Sequence, residues 1–78
     1  MDIHHLVKMA NEIATYYEQY PDHGEAVSAI AVHMKNYWEP RMRRQIISYV
    51  VEEGGKDLKD LVREAIQTLP DGAGAPAR

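Results

Sequence analysis

The side chains best suited to chemistry form one cluster near the middle of the 78-residue chain. Tryptophan and arginine dominate the energetics of protein interfaces, and guanidinium groups suit planar pairing with carboxylates or phosphates. Both residue types occur here around a single proline, Pro40. The cluster therefore predicts a partner-binding surface, which we call the arginine corner (residues 37–44). Its candidate partner-binding residues are Tyr37, Trp38, Glu39, Arg41, Arg43 and Arg44.

Pro40 determines the local structure expected at the arginine corner. Proline biases the preceding residue, Glu39, away from the α region, and proline itself is favoured at the first position of a helix. One helix should therefore end near Trp38, and the next should begin at Pro40. The three arginines then lie near the positive end of a helix dipole, where each cation is disfavoured by roughly 0.3–1 kcal/mol. This placement indicates a requirement from outside the local fold. Two simpler interpretations stay open: the arginines are solvated or pair with carboxylates of this chain, and Trp38 is a core residue.

Catalytic and metal-binding chemistry is not indicated elsewhere in the sequence. The serine and threonine residues lie in no recognisable nucleophile motif, and Gly54-Gly55 lacks the spaced glycines and the lysine of a phosphate-binding loop. The chain has no cysteine, which excludes disulfides and thiolate metal sites. Adjacent histidines such as His4 and His5 point about 100° apart on a helix and cannot easily share a metal ion. We therefore predict no catalytic residue, no cofactor-binding residue and no metal ligand in this chain.

Charge and hydropathy narrow the range of partners. A formal net charge of −3 argues against a general binder of nucleic acids or membrane surfaces. No apolar run approaches the 18 or so residues of a membrane span, and the start of the chain lacks the pattern of a secretory signal, so we expect a cytoplasmic protein. One alternative stays open. The corner and the arginine-rich helix after it could form a helix-turn-helix-like nucleic-acid-binding or regulatory protein.

Apolar residues recur at helical spacing in four segments, which predicts an all-α fold, a compact array of four short helices. The expected start and stop residues of these helices are Asp2 and Pro21, His23 and Trp38, Pro40 and Gly54-Gly55, and Asp57 and Pro70. Residues 1–70 should form a single helical domain, and residues 71–78 a flexible tail without an apolar anchor. A domain this small has a thin stability margin, which favours association with a partner or, for the isolated chain, with a second copy.

Four segments of the sequence form a pattern that can be compared with known families. They are residues 5–13, residues 20–22, residues 37–44 and residues 61–66, and the specific part is the run from Trp38 to Arg44. The pattern resembles the delta subunit of soluble NAD-dependent formate dehydrogenases over roughly residues 2–69. The sequence departs from that family at Tyr37, where phenylalanine is frequent, and at Asp60, where proline or a small helix-starting residue is expected.

The resemblance implies an accessory role in a larger enzyme. In such complexes a large alpha subunit holds a molybdenum or tungsten pterin and iron–sulfur clusters and oxidises formate to carbon dioxide. Beta and gamma subunits pass electrons through FMN to NAD. The delta subunit is implied to be non-catalytic, to bind no cofactor of its own, to attach to the alpha subunit and to support its assembly or cofactor loading. The arginine corner would then contact an acidic patch of the alpha subunit, or the phosphates of a pterin dinucleotide during insertion.

Overall fold

The computed structural model describes residues 2–70, and these residues form four helices without a strand. The helices are α1 (Ile3–Tyr17), α2 (His23–Tyr37), α3 (Pro40–Glu53) and α4 (Asp60–Gln67). Each of them packs against the other three, and α2 packs most extensively against α4. The predicted all-α array of four short helices is therefore confirmed. The tail predicted for residues 71–78 lies outside the described residues.

Local sequence features explain where the first three helices begin and where α3 ends. The Asp2 carboxylate accepts a hydrogen bond from the His4 backbone N–H at 3.2 Å, and the Asp22 carboxylate accepts one from the Glu25 N–H at 2.8 Å. Both satisfy N–H groups that a helix start leaves without a partner. The third helix begins at Pro40 and ends at Gly54, whose φ of +84° is the left-handed conformation that glycine adopts readily. The predicted starts of α1, α2 and α3 are confirmed.

The predicted start of the fourth helix is wrong. The helix begins at Asp60, three residues after the expected cap, Asp57. Instead of capping α4, the Asp57 carboxylate accepts a hydrogen bond from the Tyr49 hydroxyl at 3.0 Å. The side-chain amide of Asn11 fixes the α3–α4 loop from α1: its Nδ2 donates to the Asp57 carbonyl at 3.0 Å, and its Oδ1 accepts from the Lys59 N–H at 2.8 Å. The start of α4 therefore depends on a contact between distant parts of the chain.

The residues on either side of α4 also contribute to the fold, although they lie outside the helix. The helix ends at Gln67, before the residue Leu69 that was expected to belong to it, yet Leu69 and Leu58 on either side of the helix are buried. In the loop, Gly55 has a φ of +60°, and a Cβ atom there would lie 3.0 Å from Val50 Cγ2 and 3.1 Å from Leu58 Cδ1. Glycine is therefore required on both conformational and steric grounds.

The core lies between the inward faces of all four helices. Its fully enclosed larger side chains are Leu6, Ile30, Met34, Ile46, Val62, Ile66 and Leu69. On α1 the other buried positions are Ala10 and Ala14, whose small side chains allow close approach of the neighbouring helices. The core also includes one aromatic residue, Trp38, which has 5% of its surface exposed.

Candidate partner-binding surface

Arg43 is the arginine of the corner whose side chain is buried. Only 9% of Arg43 is exposed. Its Nη1 atom donates to the backbone carbonyl of Lys35 at 3.0 Å, to that of Met34 at 3.4 Å and to that of Trp38. The Met34 and Lys35 carbonyls belong to the last turn of α2, and the Trp38 carbonyl directly follows it. The end of a helix leaves several C=O groups without internal partners, and its dipole favours a cation there. A charge that is unfavourable at the start of α3 is thus stabilised by the end of α2.

Trp38 is the second buried residue of the corner. Its extended backbone (φ −88°, ψ 141°) ends α2, and its N–H donates to the Met34 carbonyl at 2.9 Å. Its side chain belongs to the core, which is the simpler of the two interpretations that the sequence left open for it. Together, Trp38 and Arg43 join the end of α2 to the start of α3 from the inside and fix the geometry of the turn between them.

The other four candidate residues lie on the surface. Tyr37 is 75% exposed, and Glu39, Arg41 and Arg44 are also exposed. Arg41 and Arg44 are three residues apart on α3 and therefore lie on the same side of the helix. Neither forms an ion pair with a carboxylate among residues 2–70. The Glu39 side chain makes no capping hydrogen bond to the start of α3. The outer face of the corner thus presents two exposed guanidinium groups that form no ion pair with a carboxylate within residues 2–70.

A groove of about 550 Å³ opens beside the corner. Three helices form its walls: α1 provides Met9, Glu12, Ile13, Tyr16 and Tyr17; α2 provides His33 and Tyr37; Trp38 and Met42 close it at the start of α3. We call it the tyrosine groove. Its walls are mostly apolar and aromatic, and it shares Tyr37 and Trp38 with the arginine corner. The two features therefore adjoin at Tyr37 and Trp38.

Aromatic rings follow one another across the tyrosine groove from α1 to α2. Tyr16 and Tyr17 meet edge to face with ring centroids 5.0 Å apart, Tyr17 lies 6.2 Å from His33, and His33 lies 4.9 Å from Tyr37. The pKa of Tyr17 is raised above its ordinary value, mainly by desolvation and to a smaller extent by the neighbouring tyrosines. Tyr17 therefore stays neutral at physiological pH, and the groove gains no negative charge from it.

Sequence reasoning missed both the tyrosine groove and the role of His33 in it. The structure half-buries His33 against the rings of Tyr17 and Tyr37. The groove exists because α1 and α2 bring their aromatic residues together, which no local pattern reveals. For Arg43 a signal did exist. It lies three residues before Ile46 and seven before Val50, which is the spacing of the buried stripe of α3.

A second cleft, of about 600 Å³, lies near the turn between α1 and α2, but its charges are matched within the chain. His23 Nε2 lies 2.7 Å from Glu64 Oε2, and Lys59 Nζ lies 3.1 Å from Glu18 Oε2. These exposed pairs contribute little to stability, yet they leave fewer charges available for a partner. The arginine corner and the tyrosine groove are therefore the better candidate for a binding surface.

Within residues 2–70, histidine and acidic side chains nowhere come together in a group of three that could hold a metal ion. None of the four helices combines the length and apolar character needed to cross a bilayer.

Fold and surface together define a small helical protein that presents arginine and tyrosine side chains at the turn between α2 and α3. The family described as the NADH-dependent formate dehydrogenase delta subunit, FdsD, matches residues 5–66, and the chain belongs to this family. The match covers the whole arginine corner and every residue that lines the tyrosine groove. It confirms the family that the sequence resemblance indicated. Comparison with curated proteins and comparison with solved structures each found no match.

Proposed function

We propose that this formate dehydrogenase delta subunit is a non-catalytic accessory chain that binds the catalytic alpha subunit through the exposed part of the arginine corner. The observation that carries the proposal is the pair Arg41 and Arg44, exposed and without a carboxylate partner among residues 2–70. Beside them, Tyr37 exposes 75% of its surface. Arginine and tyrosine are the residue types that most often anchor protein interfaces.

The buried part of the corner supports this role by fixing the position of the exposed part. Arg43 connects three carbonyls at the end of α2 to the first turn of α3, so Tyr37 and Arg41 on either side of the turn keep a constant separation. A surface that is already ordered loses less conformational entropy when a partner binds. Trp38 and Arg43 thus contribute to binding as positioning residues, while Tyr37, Glu39, Arg41 and Arg44 make the contacts.

The proposed assembly follows from the family. The alpha subunit would hold a molybdenum or tungsten pterin and iron–sulfur clusters, and beta and gamma subunits would supply FMN and the NAD site. The delta subunit would bind none of these groups and would support assembly of the alpha subunit or its cofactor loading in the cytoplasm. An acidic polypeptide surface fits the corner better than pterin phosphates alone, because the corner also exposes Tyr37, which lines an apolar groove.

Co-purification of the full-length chain with the alpha subunit tests the proposal. Arg41→Glu combined with Arg44→Glu should remove most of the alpha subunit from the purified material, because two favourable charge contacts become repulsive. Far-ultraviolet circular dichroism should stay unchanged, since both side chains are exposed. The matched control compares Arg44→Glu with Lys56→Glu, which makes the same charge change in the loop beyond the other end of α3. Retention of the alpha subunit by the double variant at the wild-type level would refute the role of the corner.

A further inference from the structure

We propose that two copies of the isolated chain associate through the exposed face of α3, with the two helices antiparallel about a two-fold axis near Ser48. The face has a cationic end and an acidic end, so each end of one copy meets the opposite charge of the other copy. This interaction goes beyond the proposed function, because it requires no alpha subunit and is measured on the delta subunit alone.

The exposed face of α3 is a regular helical stripe. Its members recur at intervals of three or four residues and therefore lie on one side of the helix. The buried residues of α3, such as Ile46 and Val50, lie on the opposite side. We call the stripe the α3 outer face, and its residues, all of them exposed, are Arg41, Arg44, Ser48, Val51 and Glu52.

The charges of the α3 outer face are reversed relative to the helix dipole. The start of a helix favours anions and its end favours cations. The helix α2 follows this rule, with Glu25 in its first turn and Lys35 in its last turn. On α3, however, Arg41 and Arg44 lie near the start and Glu52 lies in the last turn. None of these three residues forms an ion pair within residues 2–70, so the described fold leaves both unfavourable placements without a matching charge.

A second copy in the antiparallel orientation supplies the matching charges at both ends. Arg44 and Glu52 are eight residues apart on α3, about 12 Å along its axis, which is too far for a pair within the helix. Ser48 lies midway between them. A two-fold axis there places Arg44 of each copy opposite Glu52 of the other, with Arg41 less than one turn further along. The start of each helix then lies beside the end of the other, where the dipole favours the arginines.

The uncharged residues of the α3 outer face suit a helix–helix contact. Ser48, at the centre, has a small side chain that permits close approach of the two helices. Val51 exposes 76% of its surface, and the second helix would cover part of it. One face of a 14-residue helix is small compared with a standard interface, so the association is weak. The alpha subunit, which is proposed to bind Arg41 and Arg44, would therefore compete with the second copy.

Sedimentation equilibrium of the isolated full-length chain at up to about 1 mM tests the charge contacts. Arg44→Glu and Glu52→Arg should each weaken dimerisation by at least about tenfold, because each substitution makes two attractive contacts repulsive. An equimolar mixture of the two variants should form dimers again, since each copy then meets the opposite charge. Lys8→Glu is the matched control: it makes the same charge change as Arg44→Glu on an exposed position of α1 and should alter dimerisation by less than about threefold. A monomeric wild type, or a mixture that stays monomeric, would overturn the inference.

Disulfide crosslinking tests the antiparallel register. The chain has no cysteine, so Ser48→Cys introduces a single thiol, which the two-fold axis places next to its own copy. Mild oxidation should link this variant into a covalent dimer at least about tenfold faster than Ser28→Cys, whose position is an exposed serine of α2. Equal rates for the two variants would overturn the register. Both experiments omit the alpha subunit, so their failure would leave the proposed function intact, and failure of alpha-subunit binding would leave this pairing intact.

Discussion

Replacement of Arg43 by methionine should destabilise the fold even though the substitution lies in a segment dense with surface charge. Methionine keeps most of the aliphatic volume of the arginine stem but removes the donor that serves the carbonyls of Met34, Lys35 and Trp38. A single nitrogen atom serves all three acceptors, so their joint contribution is that of about one charge-assisted hydrogen bond, worth about 1.5–3 kcal/mol. Loss of the cation at the end of α2 adds about 0.3–1 kcal/mol. The free energy of unfolding should therefore fall by about 2–4 kcal/mol.

Thermal and urea unfolding followed by circular dichroism measure this effect. Each 1 kcal/mol shifts the Tm of a domain of this size by about 4–8 °C, so Arg43→Met should melt roughly 10 °C or more below the wild type. Arg44→Met is the matched control, because Arg44 is exposed and surface substitutions usually change stability by less than about 0.5 kcal/mol. If the two variants melted within about 2 °C of each other, Arg43 would not be the internal support of the corner.

Two further predictions concern the α3–α4 loop. Asn11→Ala removes both hydrogen bonds that attach the Asp57 carbonyl and the Lys59 N–H to α1. The free energy of unfolding, measured by urea titration, should therefore fall by about 1–3 kcal/mol. Amide exchange at Lys59, measured by hydrogen exchange, should become faster. An unchanged exchange rate at Lys59 would contradict that assignment. The pKa of Tyr49 is raised above its ordinary value of 10.0, mainly by the hydrogen bond to Asp57 and to a smaller extent by desolvation. The native state therefore holds this proton more tightly than the unfolded state does. The free energy of unfolding should consequently fall as the pH rises beyond 10.0. Urea midpoints across this range should decline less steeply in Tyr49→Phe, and an identical decline would disprove the linkage.

The parts of the fold that were predictable from the sequence are those set by neighbouring residues. Asp2, Asp22 and Pro40 begin helices by capping and by fixed backbone geometry, and Gly54 ends one by adopting a positive φ. These effects act within a few residues, so the sequence displays them directly. The start of α4 could not be predicted in this way, because it depends on Asn11, more than 45 residues earlier in the chain.

The same distinction applies to the candidate surface. Composition located the arginine corner, but it did not separate Arg43 from Arg41 and Arg44, because the three residues are chemically identical and differ only in their orientation on α3. The buried stripe that includes Ile46 and Val50 contained that information. No comparable signal existed for the tyrosine groove, since its walls come from three helices whose relative placement is a property of the whole fold.

The nucleic-acid alternative now depends on the same two exposed arginines, Arg41 and Arg44. A chain with a net charge of −3 is poorly suited to the several phosphate contacts that such binding requires. Retention of labelled nucleic acid in a filter-binding assay at low salt would favour this alternative over the proposed subunit contact. Self-association of the isolated chain stays a prediction as well, and light scattering over a range of concentrations measures it.

The most direct test of the central claim is the structure of the complex between this delta subunit and the alpha subunit. The account predicts that Arg41 and Arg44 become buried there, with guanidinium nitrogens about 2.7–3.2 Å from carboxylate oxygens of the alpha subunit, while Arg43 keeps its contacts to the end of α2. A complex in which both exposed arginines still face solvent, with the alpha subunit bound elsewhere on the chain, would contradict it.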